Sequence, residues 1–224
     1  SGLDCRDSYK YDWRGLREMT EAENWAHYWL GLPSIHEPGS NFEYCNGGSY
    51  MLTSILSRAT GQTPLDFAQE HLFDPLGITP GEWPESPEGI NYGWGSMHLL
   101  LPDMARFGWL YLNEGLWEGE QIIPASYVEE AVSPQISSGT LSDDYGYQWW
   151  VSGDGYYMAL GYQGQYIIVV PEEELVVAVV SKLPDRDFHL PESYLHTHIL
   201  PAILTDEALP DNPEAYQTLL EAIQ

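Results

Sequence analysis

Basic residues are scarce in this chain: 8 Lys and Arg stand against 34 Asp and Glu, a formal charge of −26 over 224 residues. So little positive charge leaves no basic face for a phosphate backbone or an anionic lipid surface, and neither nucleic acid nor membrane is an expected partner. Long apolar runs are missing as well. Tyr166 to Val170 and Leu175 to Val180 are the longest kind present, far short of the ~20 residues of a spanning helix. The first residues carry neither a basic n-region nor an apolar h-region, so no signal peptide is read from them. The two cysteines, Cys5 and Cys45, are too few for a disulfide scaffold or a four-cysteine zinc site, though enough for one bridge. The seven histidines show no His-Glu-x-x-His pattern, and His196 and His198 cannot share a helix face. No metal and no other cofactor is expected. Gly-x-Ser-x-Gly is absent, since Gly47-Gly48-Ser49-Tyr50-Met51 fails at its last position, and there is no dinucleotide or P-loop signature.

What is present is a chain with 43% hydrophobic residues, long enough for one sizeable core or two small ones. Its acids are scattered, as on a solvated surface, instead of gathered into one run. The opening stretch to about Met19 has no period and reads as a loop. Thr20 to Glu23 form a capping box for a helix through Trp25 and Trp29 that stops at Gly31. Gly48 to Thr60 reads as a helix that carries Met51, Leu52, Ile55 and Leu56, with Gly61 as C-cap, and Thr63-Pro64 opens the next. Pro75 to Gly95 is loop with short strands. Helices are expected from Pro102 to near Gly115 and over Ser126 to Val132. The period then changes: Tyr145 to Ser152, Tyr156 to Tyr162, Gln165 to Val170 and Leu175 to Lys182 predict consecutive antiparallel strands. Pro191 to Leu204 predicts a helix that lies on that sheet, and Pro213 to Ile223 a terminal one. Helices first and an antiparallel sheet afterwards give an α+β fold, a helical region over about 1–140 and strands with C-terminal helices over about 141–224.

The turn Phe42-Glu43-Tyr44-Cys45-Asn46-Gly47-Gly48 precedes an apolar helix, and alone it is a Tyr packed at a helix entrance with Asn46 as cap. Its neighbours add more. Phe-x-Tyr-x-Asn, a helix ending Ala59-Thr60-Gly61, Leu72-Phe73-Asp74-Pro75-Leu76-Gly77-Ile78, Asp103 to Gly108, Gly115 to Pro124, Tyr145 to Trp150 and Gly161 to Gln165 follow in order. That series resembles the serine β-lactamase and penicillin-recognising family, closest to its class C, esterase and 6-aminohexanoate-dimer hydrolase branch.

The resemblance implies a single β-lactamase-like domain, present in part over 1–224, and an enzyme that cleaves an ester or amide through an acyl-enzyme. In such enzymes a Ser of Ser-x-x-Lys attacks the carbonyl while the Lys and the Tyr of Tyr-x-Asn move protons. Tyr44 matches that Tyr. A phenol titrates near 10, so it needs a close lysine to act as a base at neutral pH. Asn46 matches the Asn, whose amide can donate to a substrate carbonyl. The third box, usually Lys-Thr-Gly or His-x-Gly, is here Tyr162-Gln163-Gly164, in which a neutral ring replaces the cation that would hold a substrate carboxylate. Gly164 admits substrate to the strand, and the backbone N–H of Gln165 is an implied oxyanion donor. Trp149 and its neighbours Trp150, Tyr156 and Tyr157 are candidate cleft residues or core.

One element of the pattern is missing. The only lysines are Lys10 and Lys182, three residues after Asp7 and Val179, so there is no Ser-x-x-Lys. Ser1-Gly2-Leu3 resembles the Thr-Ser-Gly-Leu segment that follows the nucleophile in such proteins. The expectation is a C-terminal part of a longer enzyme, inactive alone, whose uncovered sheet is met by an N-terminal segment or a second copy. A non-catalytic binding module on the same fold is the alternative, and a glycosidase, prompted by 9 Trp and 16 Tyr, a distant third. A Cys5–Cys45 bridge is expected to pin the opening loop beside the Tyr-x-Asn box and to place the protein in the periplasm or outside the cell; the alternative is two buried thiols.

Overall fold

A computed structural model describes residues 1–7, 12–205 and 212–222, and the chain divides into two units, Ser1–Phe188 and His189–Gln224. In the first unit, helix α1 (Arg14–Glu21) occupies what the sequence reads as loop. Its only apolar anchors are Leu16 and Met19, too few to show a period, and it is held instead by close backbone approach. A Cβ at Gly15 would lie 1.7 Å from the Cys5 carbonyl oxygen. Helix α2 (Trp25–Leu30) starts four residues later than the expected capping box. Asn24 is the cap, accepting from the His27 N–H, and Glu88 Oε1 accepts from the Trp25 and Ala26 N–H groups across 63 residues of chain. Thr20 turns back to the Arg17 carbonyl instead. A long-range carboxylate at a helix N-terminus does the work assigned to a local box.

Helix α3 (Asn46–Thr60) ends as expected at Gly61, whose φ of 76° is the left-handed conformation of a C-cap glycine. Its buried side is Asn46, Gly47, Ser49 and Tyr50, however, and Leu52 and Ile55 are 54% and 59% exposed. Leu52 and Ile55 of its apolar stripe face outward, with Met51 and Leu56 half-buried. Helix α4 (Pro64–Ala68), capped by Thr63, runs through a π-helical turn, Gln69–Phe73, into α5 (Asp74–Leu76), so the helix continues past Pro75 to Gly77. Helix α6 (Leu101–Leu112) is tied back to the end of α5 by Arg106, which donates to the Gly77 carbonyl and pairs with buried Asp103 at 2.6 Å. A two-residue hairpin, β1 (Leu116–Trp117) with β2 (Glu120–Gln121), and helix α7 (Ala125–Ala131) complete the helical part.

The sheet is a six-stranded antiparallel meander in chain order: β3 (Ile136–Ser137), β4 (Asp144–Tyr145), β5 (Trp150–Val151), β6 (Tyr157–Gly161), β7 (Gln165–Val170) and β8 (Leu175–Val179). The expected strand over Tyr145 to Ser152 is two strands. Between them Gly146 gives its N–H to the Trp149 carbonyl, and Gln148 takes a left-handed φ of 66° that breaks the ladder. Strand β7 pairs in register from Tyr157↔Val169 to Gly161↔Gln165 on one side and from Tyr166↔Val179 to Val170↔Leu175 on the other. Tyr111 of α6 and Val128 and Ala131 of α7 pack with Trp149, Val151, Tyr157, Ile167 and Val169 of the sheet into the main core. Helix α6 comes so close to β7 and β8 because Gly108 has no side chain; a Cβ there would be 2.6 Å from Val176 Cγ1 and 2.8 Å from Ile167 Cγ2. A second cluster gathers Phe73, Leu76, Ile78 and Leu110, and a third Met19, Trp25 and Tyr50.

In the second unit, α8 (Leu190–Tyr194) continues through a π-helical turn, Leu195–Ile199, and a 3-10 turn, Leu200–Ala202, close to the span the sequence predicts. Helix α9 is Pro213–Ala222, and Ile223, its expected last residue, lies outside the described residues. The α+β class is as the sequence indicates.

Because Gly108 sits under two packed β-branched side chains, Gly108→Ala is expected to lower unfolding free energy by about 1–3 kcal/mol through overpacking. Urea denaturation followed by circular dichroism measures it, and an unchanged midpoint would show that helix and sheet have slack.

Candidate functional site

The N-terminus of α3 organises the site. Helices leave their first N–H groups without partners, and here the missing acceptor is Asp7, whose Oδ2 takes the Asn46 N–H at 2.9 Å. Asp7 is 2% exposed. Burial pushes its carboxyl above the usual range, while hydrogen bonds from the backbone of Asn46, Gly47 and Leu16 and from the Asn46 side chain pull the other way. Cys5 and Cys45 form the expected disulfide, with 5.9 Å between their Cα atoms, so the opening segment is fastened to the residue between Tyr44 and Asn46. Cys45 is also the N-cap: its Sγ accepts from the Gly48 N–H and the Trp29 Nε1–H, both at 3.4 Å. Trp29 lies so tightly over this turn that a Cβ at Gly47 would meet its ring at 2.1 Å.

A cleft of about 150 Å³ opens beside the turn, lined by Tyr44, Cys45, Gly48 and Ser49 together with Phe42, Glu43, Tyr145, Gln148 and Ser1. Tyr44 stacks on Trp150 with ring centroids 5.9 Å apart, and Phe42 and Tyr145 pack against the same pair. Burial raises the Tyr44 phenol, and the charge on Asp7 raises it further. No cation among the described residues counters either effect, so here Tyr44 is a neutral phenol. Across the cleft, Ser49 Oγ donates to Gln148 Oε1 at 3.1 Å. Gln148 is held in the left-handed region that a non-glycine residue avoids, and backbone strain of this kind gathers at functional positions.

The structure distributes the other expected site residues unevenly. Asn46 is buried against Asp7 and is not among the cleft-lining residues; its position as first residue of α3 turns it toward the capping carboxylate instead of a substrate carbonyl. Trp149 is corrected from cleft to core: it is 3% exposed, between Phe107, Tyr111 and Tyr157, because the break after β4 sends it to the α6 side of the sheet. Tyr162, Gln163 and Gly164 form the β6–β7 turn, with Tyr162 72% exposed and φ values of 63° and 87° at Gln163 and Gly164. Ser181 buttresses that turn, its Oγ 2.7 Å from the carbonyl oxygens of Gln163 and Gly164, and the Gln165 side chain bonds the Ser181 backbone. The turn does not line the cleft beside Tyr44. Asp7, Ser49 and Gln148 are the contributors sequence reading missed. Gln148 stood within the quoted Tyr145 to Trp150 run, whereas nothing local marks Asp7, whose partner is 39 residues away.

With this geometry in view, comparison with known proteins is informative. The β-lactamase family profile matches residues 1–198, and the chain belongs to that family. It is 24% identical over 189 residues to 6-aminohexanoate-dimer hydrolase from Paenarthrobacter ureafaciens, covering 78% of this chain and 47% of the relative, and 28% identical over 120 residues to a D-aminopeptidase from Brucella anthropi, covering 51% and 22%. A solved structure from Bacillus anthracis, provisionally described as a 6-aminohexanoate-dimer hydrolase, superimposes with a TM-score of 0.67 at 26% identity, over 78% of this chain and 47% of that one. A penicillin-binding protein homolog from Caulobacter crescentus shares the fold at 15% identity and a TM-score of 0.58, over 74% of this chain and 59% of that one. The chain thus spans about half the length of the first of these relatives.

The bridge closes a loop of 40 residues; in the chain-entropy picture its reduction is expected to lower stability by roughly 4 kcal/mol. Urea midpoints with and without a reductant measure this, and coincident curves would mean that the bridge adds nothing.

Proposed function

We propose that this chain carries the Tyr-x-Asn part of a serine hydrolase that cleaves an ester or amide bond of a small molecule through an acyl-enzyme, with the nucleophilic Ser and its Lys supplied by residues outside this sequence. The observation that carries the reading is Tyr44: a phenol on the wall of a cleft, at the start of a helix whose N-terminus is locked by a buried carboxylate and a disulfide. Its proton is held tightly because burial and the Asp7 charge both disfavour the phenolate and no cation among the described residues offsets them. A lysine brought against it would reverse that balance and let it take the proton of a serine hydroxyl. Asn46, held by Asp7, fixes the position of the turn, and the Gln165 N–H with Gly164 is assigned to the substrate carbonyl. The hydrolase and aminopeptidase names of two relatives support this bond class. With Tyr162 in the third box, substrates that depend on a bound carboxylate are disfavoured. The outward stripe of Leu52 and Ile55 and the edge strand β8 are where further protein, an N-terminal segment or a second copy, is assigned to pack. The disulfide supports a periplasmic or extracellular setting.

That no cation among the described residues meets Tyr44 also favours one other reading, a binding module that keeps the boxes as structure. Fluorophosphonate separates the two. A protein carrying these residues together with a Ser-x-x-Lys segment is expected to be labelled and to hydrolyse p-nitrophenyl esters, and Tyr44→Phe in it to lose on the order of 10²-fold or more in kcat with its fold intact. Residues 1–224 alone are expected to show no turnover. Absence of label in the longer protein would favour the binding module, and reproducible turnover by this chain alone would remove the need for an outside nucleophile.

A further inference from the structure

Asp7 brings a third group to the cysteine pair that closes the disulfide. Its Oδ2 lies 3.4 Å from Cys5 Sγ, and one oxygen of the carboxylate and both sulfurs all fall within 4.8 Å of one another. A disulfide sulfur has no proton to donate, so in the bridged state a buried carboxylate faces a sulfur lone pair. A reduced Cys5 can give that oxygen an S–H. We propose that Cys5, Cys45 and Asp7 are a redox-gated site for a thiophilic divalent cation such as zinc, closed while the disulfide stands and formed when it is reduced.

Two thiolates and a carboxylate are a donor set that zinc accepts, at about 2.3 Å from sulfur and about 2.0–2.2 Å from oxygen. Ligand atoms of a tetrahedral site then lie roughly 3.3–3.8 Å apart; the Asp7 oxygen is already 3.4 Å from Cys5 Sγ and within 4.8 Å of Cys45 Sγ, and the two sulfurs, bonded to each other in the bridge, part by about 2 Å once reduced. The surrounding hydrogen bonds suit this role: Cys45 Sγ already receives the Gly48 and Trp29 N–H groups, and Asp7 receives that of Asn46. Such outer partners orient metal ligands. A small surface pocket beside the pair is lined by Cys5 and Cys45 with His36, Asn41 and Glu43.

The chemistry balances with a dithiol as reductant. Its two thiols become a disulfide and give two electrons and two protons to the Cys5–Cys45 bond, leaving two protein thiols. Binding M²⁺ then releases those two protons to solvent, and the ion sits among three negative ligands with a net charge of −1. Spacing rules for metal motifs cannot see such a site, because its ligands are 40 residues apart in sequence and only the fold collects them.

The test uses the 224-residue chain, reduced anaerobically with dithiothreitol, freed of reductant by gel filtration and titrated with Co²⁺. One equivalent is expected to produce a near-ultraviolet sulfur-to-cobalt charge-transfer band that zinc abolishes. The oxidised chain is expected to give no band. Asp7→Asn should weaken Co²⁺ by more than about tenfold, and Cys5→Ser should remove the band. In case these variants do not fold, X-ray absorption of the zinc-loaded wild type counts the ligands directly, with two sulfurs and light-atom scatterers expected. No band in the reduced chain, whether folded or not, overturns the proposal. So do fewer than two sulfurs at zinc, or unchanged affinity in a folded Asp7→Asn.

Discussion

The hydrogen bond from the Asn46 N–H to the Asp7 carboxylate is what the rest of the first unit is arranged around. It terminates a 15-residue helix with a full negative charge where the helix dipole welcomes one, and it does so from a segment that the adjacent disulfide keeps from leaving. Burying a carboxylate is costly unless it is well bonded, and this one is bonded on one side only: Oδ2 takes the Asn46 N–H, while Oδ1 is buried with no partner among the described residues. The chain accepts that cost at one point and gains a turn whose Tyr44, Cys45 and Gly48 have little freedom. Trp29 over Gly47 closes the arrangement from above, and Trp29 in turn is positioned by α2, whose own N-terminus is held by Glu88.

Carboxylates brought from far along the chain thus recur as helix starters: Asp7 for α3, Glu88 for α2. This explains the main gap between sequence and structure. Gly61, Thr63 and Gly115 punctuate the chain where local rules place them, and the β7 and β8 strands follow from runs of β-branched residues. Helix α1 was not legible because it relies on the fit of Gly15 against Cys5, not on an apolar period. The capping box at Thr20 was misleading because a stronger, nonlocal acceptor overrode it. The facing of α3 was not legible for a different reason: Leu52 and Ile55 have helical spacing, but spacing reports one face without saying which side of the molecule it meets.

The candidate site was legible where its residues are consecutive and hidden where they are not. Tyr44 was singled out by the family resemblance that its turn shares with its neighbours, and the bridge was one of two readings of there being only two cysteines. Trp149 and Trp150 illustrate the limit. In an unbroken strand they would point to opposite faces, and the left-handed Gln148 beside them resets which of the two reaches Tyr44. This one non-glycine residue therefore decides which buried indole packs on Tyr111 and which stacks on Tyr44. The same conformation lets the Gln148 amide reach Ser49, so the break in the strand and the polar contact across the cleft are one event.

The contact between Trp29 and Cys45 has an optical consequence. An indole whose N–H rests on a disulfide sulfur has an electron acceptor at van der Waals range, and light absorbed by that ring is lost by electron transfer to the bridge before it is emitted. Nearby, Trp25 and Trp94 lie 5.3 Å apart and Tyr92 stacks on Trp94, close enough for their transitions to mix. Opening the bond between residues 5 and 45 restores the emission of Trp29 while leaving that aromatic group in place. The protein carries, in its own absorption and fluorescence, a built-in reading of whether its first residues are tied to the start of α3.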